Sequence, residues 1–518
     1  MLALFLIFRY SRLMIAKTHS AIPYGYEGRL VEVEGDMNRG LPALNIVGLA
    51  DKTINESKER VKSAITNSGF SFPDKRVTIN LAPAELTKDG PYLDLPIALT
   101  ILVLSGQLLE KDLESSLFVG ELSLNGEIRP VKGIINILEA AKSAHFKTVF
   151  LPAKNLPQAS LITGIDVIGV SSLSELFAHL KGEKLIEPPS SHIVKNTKTG
   201  VEGPILDHIL GQSFAKRAML VAIAGHHNIL ISGPPGAGKT LLARAAMNLL
   251  PPPSSEEQIV ITKIHSIATG STDIIDQRPF RSPHHSASAT SNIGGGPHAL
   301  PGEISLAHRG ILFLDELPEF PRSILESLRQ PLEDKSVSIS RASRKTTYPA
   351  DFMLIATMNP CPCGYLGDPT HECTCSSRDI ENYQKKLSGP LLDRIDMHIR
   401  VEKVENSDLL KQSSTSTTEH DRAKALILKA FAAQRTRFCS DNFYNSSLSS
   451  HDVSVLLKMT KPAKDLLSSA SDRLNLSARS YFKIIKVART IADLDAAPEI
   501  TDRHIAEALS FRHREYFR

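Results

Sequence analysis

The first third of the chain alternates short apolar runs with segments of helical period. This alternation predicts a compact α/β domain over residues 28–180. The runs expected to form strands lie at 30–34, 76–81 and 148–151. The helical patterns lie around 51–67, 93–107 and 133–145.

The rest of the chain divides into a second α/β part and a helical part. Residues 181–204 carry prolines, serines and lysines without an apolar period, which predicts a linker. In 205–402 a helical pattern leads to a short apolar strand at 228–232, then to a glycine-rich loop and another helix. Residues 403–420 hold a run of serine and threonine expected to be a flexible joint, and 421–518 has the period of a small helical bundle.

Composition excludes several classes of protein. The 518 residues include 60 Lys and Arg against 56 Asp and Glu, and the formal net charge is +4. This is ordinary globular composition, which excludes collagen-like and disordered chains and gives no overall signal for binding polyanions. The amino-terminal segment 1–27 opens with an apolar run over 1–8, too short for the roughly 20 residues that cross a bilayer. Met14 is an alternative start, and we expect no membrane association.

Four of the five cysteines fall within one short stretch. So few cysteines cannot form the disulfide framework of a secreted protein, so a reducing, cytoplasmic location is predicted. Their C-x-C and C-x-C pattern supplies four thiolates, enough for a tetrahedral Zn²⁺ site in a structural role. Four reduced thiols packed under a loop are the alternative. The candidate ligands are Cys361, Cys363, Cys373 and Cys375.

A phosphate-binding loop follows the strand at 228–232. Its sequence fits G-x-x-x-x-G-K-[ST] between a strand and a helix, and this context predicts ATP binding. Glycines let backbone N–H groups turn toward phosphate oxygens, and the start of a helix adds partial positive charge. Lys239 is expected at the β- and γ-phosphates and the Thr240 hydroxyl on Mg²⁺. The loop comprises Gly233, Pro234, Pro235, Gly236, Ala237, Gly238, Lys239 and Thr240.

Two later apolar strands end in polar side chains. The run 310–314 leads into Asp315 and Glu316, which suits a Mg²⁺ ligand followed by a carboxylate that polarises the attacking water. The run 354–358 leads into Asn359, whose amide is expected to orient water or the γ-phosphate.

The order of these elements resembles that of the AAA+ ATPases. In that family they are Walker A, Walker B and sensor 1, and the segment 389–396 corresponds to the arginine finger. The resemblance implies that Arg394 enters the site of a neighbouring subunit and that Arg479, in a segment similar to sensor 2, is a second phosphate-facing arginine.

The long insertion before Asp315 is similar to that of the magnesium-chelatase and MCM helicase branch of AAA+ proteins. Together with the segments 306–320 and 388–396, it resembles the ComM/YifB family of magnesium-chelatase-like proteins, from about residue 28 to 515. The resemblance implies a hexameric ATPase and a DNA helicase that drives branch migration when transforming DNA is integrated by recombination.

The insertion itself admits two interpretations. Its glycine-rich loops could line a ring pore and track a phosphate backbone, with the arginines carrying the charge. Equally, the segment could pack within the ring. The residues in question are Arg278, Arg281, His284 and His285.

The segments 87–94 and 120–134 resemble two catalytic segments of Lon protease. Lon requires a serine where this chain has Tyr92 and a lysine where it has Ile135, and Lys132 lies three positions early. Tyr and Ile cannot replace the nucleophile and the amine of a Ser–Lys dyad. We therefore expect a Lon-like domain that is not a protease and serves binding or assembly.

These observations predict an α/β protein with an AAA+ P-loop core, a degenerate Lon-like amino-terminal domain and a carboxyl-terminal helical bundle. Its predicted function is that of an ATP-dependent DNA motor. The alternative is a chelatase-like ATPase that remodels a protein partner, which fold analogy alone does not separate from the first.

Overall fold

A computed structural model describes residues 15–49, 52–187, 203–341, 344–368, 371–403, 418–440 and 443–512. The chain forms two compact units. The first comprises Met1–Asn196 with Gln258–Ile275, and the second comprises Thr197–Glu257 with Asp276–Arg518. The apolar run predicted at 1–8, most of the predicted linker and most of the predicted joint lie outside the described residues.

The first unit is built on a mixed seven-stranded sheet of order β3-β4-β2-β1-β5-β8-β9. Strand β1 is antiparallel to β2, and β5, β8 and β9 continue the sheet in parallel. Its strands are β1 (Ile15–Tyr24), β2 (Glu27–Asn38), β3 (Ala43–Val47), β4 (Arg76–Ala82), β5 (Ser116–Phe118), β8 (Thr148–Pro152) and β9 (Asp166–Val170), with a separate hairpin of β6 (Glu121–Leu122) and β7 (Ile128–Arg129). Its α-helices are Lys52–Asn67, Asp94–Leu104, Ile134–Ser143, Leu156–Ala159 and Leu173–Leu180.

The strands and helices predicted for this unit are present, and the side chains show why. In β4, Val77, Ile79 and Leu81 are fully buried and alternate with half-buried polar residues, as expected of a strand with one face on the core. The domain boundary predicted at residue 28 falls inside the sheet, because β1 pairs along its whole length with β2.

Residues 258–275 belong to the first unit although they lie between the P-loop and Asp315 in sequence. Most of the helix Ser255–Thr269 is in this segment. The Lys263 ammonium binds Glu139 and lies over the ring of Tyr26, 4.0 Å from its centre. The Ser266 hydroxyl accepts the N–H of Gly133 at 3.1 Å. The segment therefore packs on the stretch that resembles the second Lon catalytic segment.

The second unit is built on a parallel five-stranded sheet of order β11-β14-β17-β10-β18. Strands β14 and β17 are buried along their whole length, as is typical of parallel strands covered on both faces. The strands are β10 (Ile229–Ser232), β11 (Phe280–Arg281), β14 (Ile311–Leu314), β17 (Met353–Met358) and β18 (Met397–Arg400). Two separate hairpins pair β12 (Gly294–Gly295) with β13 (Leu300–Pro301) and β15 (Ser336–Arg341) with β16 (Arg344–Pro349).

Helices surround this sheet and account for every described element after β18. Those before residue 403 are Ser213–Gly225, Lys239–Leu249, Ala289–Ile293, Glu303–Leu306, Arg322–Ser327, Arg329–Asp334, Ser377–Lys385 and Gly389–Leu392. Those after it are Thr418–Phe438, Ser450–Leu456, Lys461–Leu474, Ala478–Leu494 and Asp502–Ser510. The apolar faces of the later helices join the same core as β10 and β18, so the described carboxyl-terminal helices and the sheet form one cluster.

Candidate nucleotide site

The predicted phosphate-binding loop lies at the carboxyl end of strand β10, which lies between β17 and β18 in the sheet. Gly236 and Gly238 have φ angles of +77° and +81°, in the left-handed region that glycine adopts without strain. A Cβ at Gly233 would lie 2.4 Å from the carbonyl oxygen of Val401, so glycine is required there by close approach of the backbone. The loop leads directly into the helix Lys239–Leu249, whose first N–H groups have no partner within the helix.

Lys239 is held across the loop. Its ammonium donates to the carbonyl oxygens of Gly233 at 2.6 Å and Pro234 at 2.9 Å, and to Oδ1 of Asn359 at 3.0 Å. Burial lowers the pKa of Lys239 to about 8, although the carboxylates of Asp315 and Glu316 act in the opposite direction. The side chains predicted as Walker A lysine and sensor 1 are therefore in direct contact.

Thr240 and Asp315 form a pair suited to a hard cation. The Thr240 hydroxyl donates to Oδ2 of Asp315 at 3.2 Å, and the Thr357 hydroxyl donates to the other oxygen of the same carboxylate. Hydroxyl and carboxylate oxygens are the ligands that Mg²⁺ takes beside phosphate oxygens. The donor set at this position fits a magnesium ion.

Glu316 lies beside this pair in a strained backbone conformation. Its φ angle is +54°, which is uncommon for a residue with a side chain and is often found at functional sites. Its N–H donates to the Thr357 hydroxyl at 3.0 Å. Thr357, which the sequence analysis did not single out, thus bonds to both acidic residues from the neighbouring strand β17.

Three family models match the chain. They describe magnesium chelatase, subunit ChlI, over residues 205–409, subunit ChlI of Mg-chelatase over 33–155, and the ChlI carboxyl-terminal region over 417–512. The competence protein ComM of Haemophilus influenzae is 40% identical over 504 residues, covering 96% of this chain and 97% of that protein. The YifB protein of Escherichia coli is 38% identical over 501 residues, covering 95% and 96%.

This chain belongs to the ComM/YifB family of magnesium-chelatase-like proteins. The resemblance inferred from its motifs is therefore confirmed. A magnesium-chelatase 67 kDa subunit of Chlorobaculum parvum is similar over a smaller part, 26% identical over 155 residues, which is 29% of this chain and 23% of that subunit. Membership of this family indicates an ATPase activity that uses ATP and Mg²⁺. Within the described residues, no helix is long and apolar enough to cross a membrane.

In this family member the two predicted phosphate-facing arginines meet at one carboxylate. Arg394 binds one oxygen of Glu333 and also donates to the carbonyl oxygen of Pro390 at 2.8 Å. Arg479 lies 2.6 Å from the other oxygen of Glu333. The structure thus brings Arg394 and Arg479 together, and both bind Glu333 rather than the loop that holds Lys239.

A buried polar cluster lies just behind Arg394. The Asp396 carboxylate accepts the N–H of Asn228 at 2.9 Å and lies 2.9 Å from the Lys483 ammonium. Burial raises the pKa of Asp396, but the Lys483 ammonium, the His227 ring and the Asn228 N–H together outweigh it, and the pKa lies below its usual range. His227 donates or accepts a 2.8 Å bond with Thr490 on the same helix as Lys483. Sequence reasoning missed this cluster, because its members are far apart in the chain.

The four clustered cysteines converge. Their sulfur atoms all lie within 4.8 Å of one another, and each is a free thiol. The Sγ atoms of Cys361 and Cys363 are 3.3 Å apart, and that of Cys373 lies 3.7 and 3.6 Å from them. The group therefore has the ligand number and compactness of a metal site.

The insertion arginines bind carboxylates of their own unit. Arg278 makes a two-pronged contact with Glu257 at 2.6 and 3.2 Å, and both side chains are buried. Arg281 makes a similar contact with Glu303 at 2.6 and 2.7 Å. His284 is hydrogen-bonded to Ser286, and its ring lies 4.1 Å from that of His285 at a tilt of 33°. Of the two interpretations, this geometry favours packing for Arg278, whose charge is neutralised and shielded from solvent.

The segment that resembles the Lon active site holds no described nucleophile–amine pair. Tyr92 packs between two apolar clusters, and Ile135 is fully buried in one of them. Lys132 extends along Gly270, where an added Cβ would lie 2.6 Å from its Cε. The two resembling segments are joined instead by Asp94, which binds Arg60 at 2.9 Å and accepts the N–H of Leu122 at 3.2 Å.

Proposed function

We propose that this protein is an ATP-dependent DNA motor of the ComM type. It hydrolyses ATP with Mg²⁺ in a hexameric ring in the cytoplasm and moves branch points in DNA joints during recombination, including integration of transforming DNA. The observation that carries the ATPase part is the contact of Lys239 with Asn359 beside the pair of Thr240 and Asp315. The DNA part is supported by the near full-length similarity to ComM.

The residues divide the work as follows. The Lys239 ammonium exchanges its hydrogen bonds to the loop carbonyls and to Asn359 for bonds to the β- and γ-phosphates. Thr240 and Asp315 would hold Mg²⁺, which would supply positive charge beside the phosphates. Glu316 polarises the attacking water, and its position depends on its N–H bond to Thr357.

In this proposal Arg394 completes the site of a neighbouring subunit, and Arg479 is a second arginine that faces phosphate. The support is that both reach one anionic group, Glu333, as they would reach a phosphate. Guanidinium groups stabilise the charge of the transition state, so a ring in which each subunit supplies its neighbour couples hydrolysis around the circle. The described carboxyl-terminal helices present Arg479, and the first unit, a Lon-like domain without a dyad, serves assembly or binding.

We also infer that the four cysteines bind one structural Zn²⁺. Thiolates at about 2.3 Å from zinc in a tetrahedron lie about 3.8 Å apart. The distances of 3.3, 3.6 and 3.7 Å are close to that value and far from the roughly 2.0 Å of a disulfide. Metal analysis of protein purified without chelator is expected to return about one zinc per chain. Folded, active protein without metal contradicts this assignment.

Two variants test the ATPase. Lys239→Ala removes the charge that binds phosphate and is expected to abolish nucleotide binding. Glu316→Gln keeps the shape of the site but not the carboxylate, so it should bind ATP with turnover lowered at least about a hundredfold. Lys464→Ala, which alters an exposed lysine on the helix Lys461–Leu474, is the matched control and should leave both unchanged. Wild-type turnover by Glu316→Gln contradicts the assignment.

DNA activity is tested with labelled branched DNA and forked duplex, each with and without ATP. We expect ATP-dependent strand displacement that is insensitive to base sequence and falls steeply as salt rises, because contacts with phosphates are electrostatic. Glu316→Gln should bind the DNA without displacing strands. Failure on both substrates, together with ATPase stimulated by a protein partner, supports the remodelling ATPase instead.

A further inference from the structure

The cysteine loop lies directly against the nucleotide site. It begins two residues after Asn359 and ends at Cys375, where Ser376 caps the helix Ser377–Lys385 by accepting the N–H of Asp379 at 3.2 Å. The strand that positions Asn359 therefore runs without interruption into the cysteine cluster.

Gly364, inside the loop, contacts the phosphate-binding loop. Its φ angle is +86°, and an added Cβ would lie 2.7 Å from Cδ and Cγ of Pro235. The same Cβ would lie 4.0 Å from Cγ of Asn359. The cysteine loop thus lies against Pro235 of the phosphate-binding loop and close to the side chain of Asn359.

The far end of the loop returns to the same place. Burial raises the pKa of Tyr383, in the helix that follows Cys375, and the backbone of Asn359 acts in the opposite direction, so the Tyr383 hydroxyl lies near Asn359. The chain on both sides of the cluster therefore comes back to Asn359.

Few apolar contacts hold the loop itself. Among its described residues only Cys361 and Gly364 are buried, so the side chains supply almost no core. The Cys363 N–H donates to the sulfur of Cys375 at 3.3 Å, and the exposed ring of His371 stacks on Tyr365 at 4.9 Å, so sulfur atoms and one surface ring contact link the two halves. A loop of this kind depends on a metal for its fold, because the binding energy of the metal replaces a core.

We propose that the metal on the four thiolates controls nucleotide binding by fixing Pro235 and Asn359 at the phosphate site. The inference rests on the zinc and ATPase assignments proposed above. Removal of the metal loosens the loop, withdraws Gly364 from Pro235 and releases Asn359, so the loop that holds Lys239 loses its support on that side.

The test measures nucleotide affinity, not turnover. Full-length protein is stripped of metal by a chelator under reducing conditions, and affinity for a fluorescent ATP analogue is measured before and after Zn²⁺ is returned. We expect affinity to fall at least about tenfold on removal and to recover with Zn²⁺, while hydrogen exchange in 233–240 and 359–375 rises and falls in parallel. Circular dichroism confirms that the stripped protein stays folded.

A variant that keeps all four thiols separates the effect of the contact between Gly364 and Pro235 from the effect of zinc binding. Gly364→Ala places a methyl group against Pro235 and should lower nucleotide affinity with zinc content unchanged. Gly69→Ala is the matched control, since Gly69 has a nearly equal φ of +85° but no atom within 4 Å of its Cβ. Both lose glycine's freedom at positive φ, so any difference reports the contact.

The outcomes are distinguishable. If folded, zinc-free protein binds the analogue with unchanged affinity, the metal does not control nucleotide binding, and the ATPase assignment is unaffected. Equal affinities for the Gly364 and Gly69 variants refute the role of the Pro235 contact. Loss of the ATPase assignment shows itself separately, as binding that persists in Lys239→Ala.

Discussion

Replacing Arg278 by alanine should destabilise the second unit without a specific effect on its affinity for DNA. The guanidinium makes two contacts with Glu257, at 2.6 and 3.2 Å, and donates at 2.7 Å to each of the carbonyl oxygens of Pro251 and Arg309. The two charged side chains are only 8% and 3% exposed. Solvent cannot replace the bonds that the substitution removes.

The expected loss in the free energy of unfolding is large because the Glu257 carboxylate stays buried without its main partner. Removing one partner of a buried ion pair costs about 3–5 kcal/mol. Arg309, 3.8 Å from Glu257, offsets part of this, so we expect a value near the lower end. Arg281→Ala is the comparison, since its side chain and that of Glu303 are 35% and 19% exposed, so water reaches this pair and the loss should be smaller, closer to the roughly 1 kcal/mol of an exposed pair.

Urea unfolding followed by circular dichroism measures the difference, because the chain has no tryptophan to report by fluorescence. Arg278→Met combined with Glu257→Gln should recover much of the loss, since neither member of this pair then leaves the other's charge buried, and Arg309 keeps its pairing with Asp351. In parallel, DNA affinity is measured against salt concentration. A DNA-contacting arginine would lower the salt slope by about one when removed. Wild-type stability with a reduced salt slope refutes the packing interpretation and restores the DNA interpretation.

Two further substitutions test the second unit. Asp396→Asn should destabilise it by about 3 kcal/mol because Lys483 keeps a buried charge. Since folding lowers the pKa of Asp396, this carboxylate stabilises the fold above its unfolded pKa of about 3.9, and the stabilisation is lost as pH falls through its folded pKa. The free energy of unfolding measured against pH in the acid range tests this. Arg394→Ala subunits by themselves should not hydrolyse ATP. Mixing them with Lys239→Ala subunits should restore part of the turnover, because one variant keeps Lys239 and the other keeps Arg394. Inactivity of all mixtures contradicts action in trans.

The parts of the molecule that the sequence predicts well are those encoded by neighbouring residues. The P-loop is a contiguous motif, and the strands before Asp315 and Asn359 are apolar runs that are buried on both faces. Contact between Lys239 and Asn359 follows because β10 and β17 are adjacent parallel strands whose carboxyl ends share one edge. Local pattern and strand polarity suffice for such a site.

The parts that it predicts poorly depend on partners distant in the chain. Strand β1 has polar residues and a proline, and its place in the sheet comes from its pairing with β2. The pair of Asp396 and Lys483 joins residues 87 positions apart, and although Asp396 ends the segment 389–396, nothing in the sequence marks Lys483 as its partner. Arg278 carries a positive charge in a glycine-rich insertion, and only the structure reveals that Glu257 neutralises it.

The buried pair of Asp396 and Lys483 gives a physical reason for Arg394 and Arg479 to act together. Lys483 follows Arg479 by four residues on one helix, so both lie on the same face of it about one turn apart. Asp396 follows Arg394 by two residues. The helix and the segment that carries Arg394 are thus joined at a charge pair that is costly to open. A shift of the helix is expected to carry both guanidinium groups away from Glu333 in one step, so in the ATPase proposed above the two arginines would become available to phosphate together.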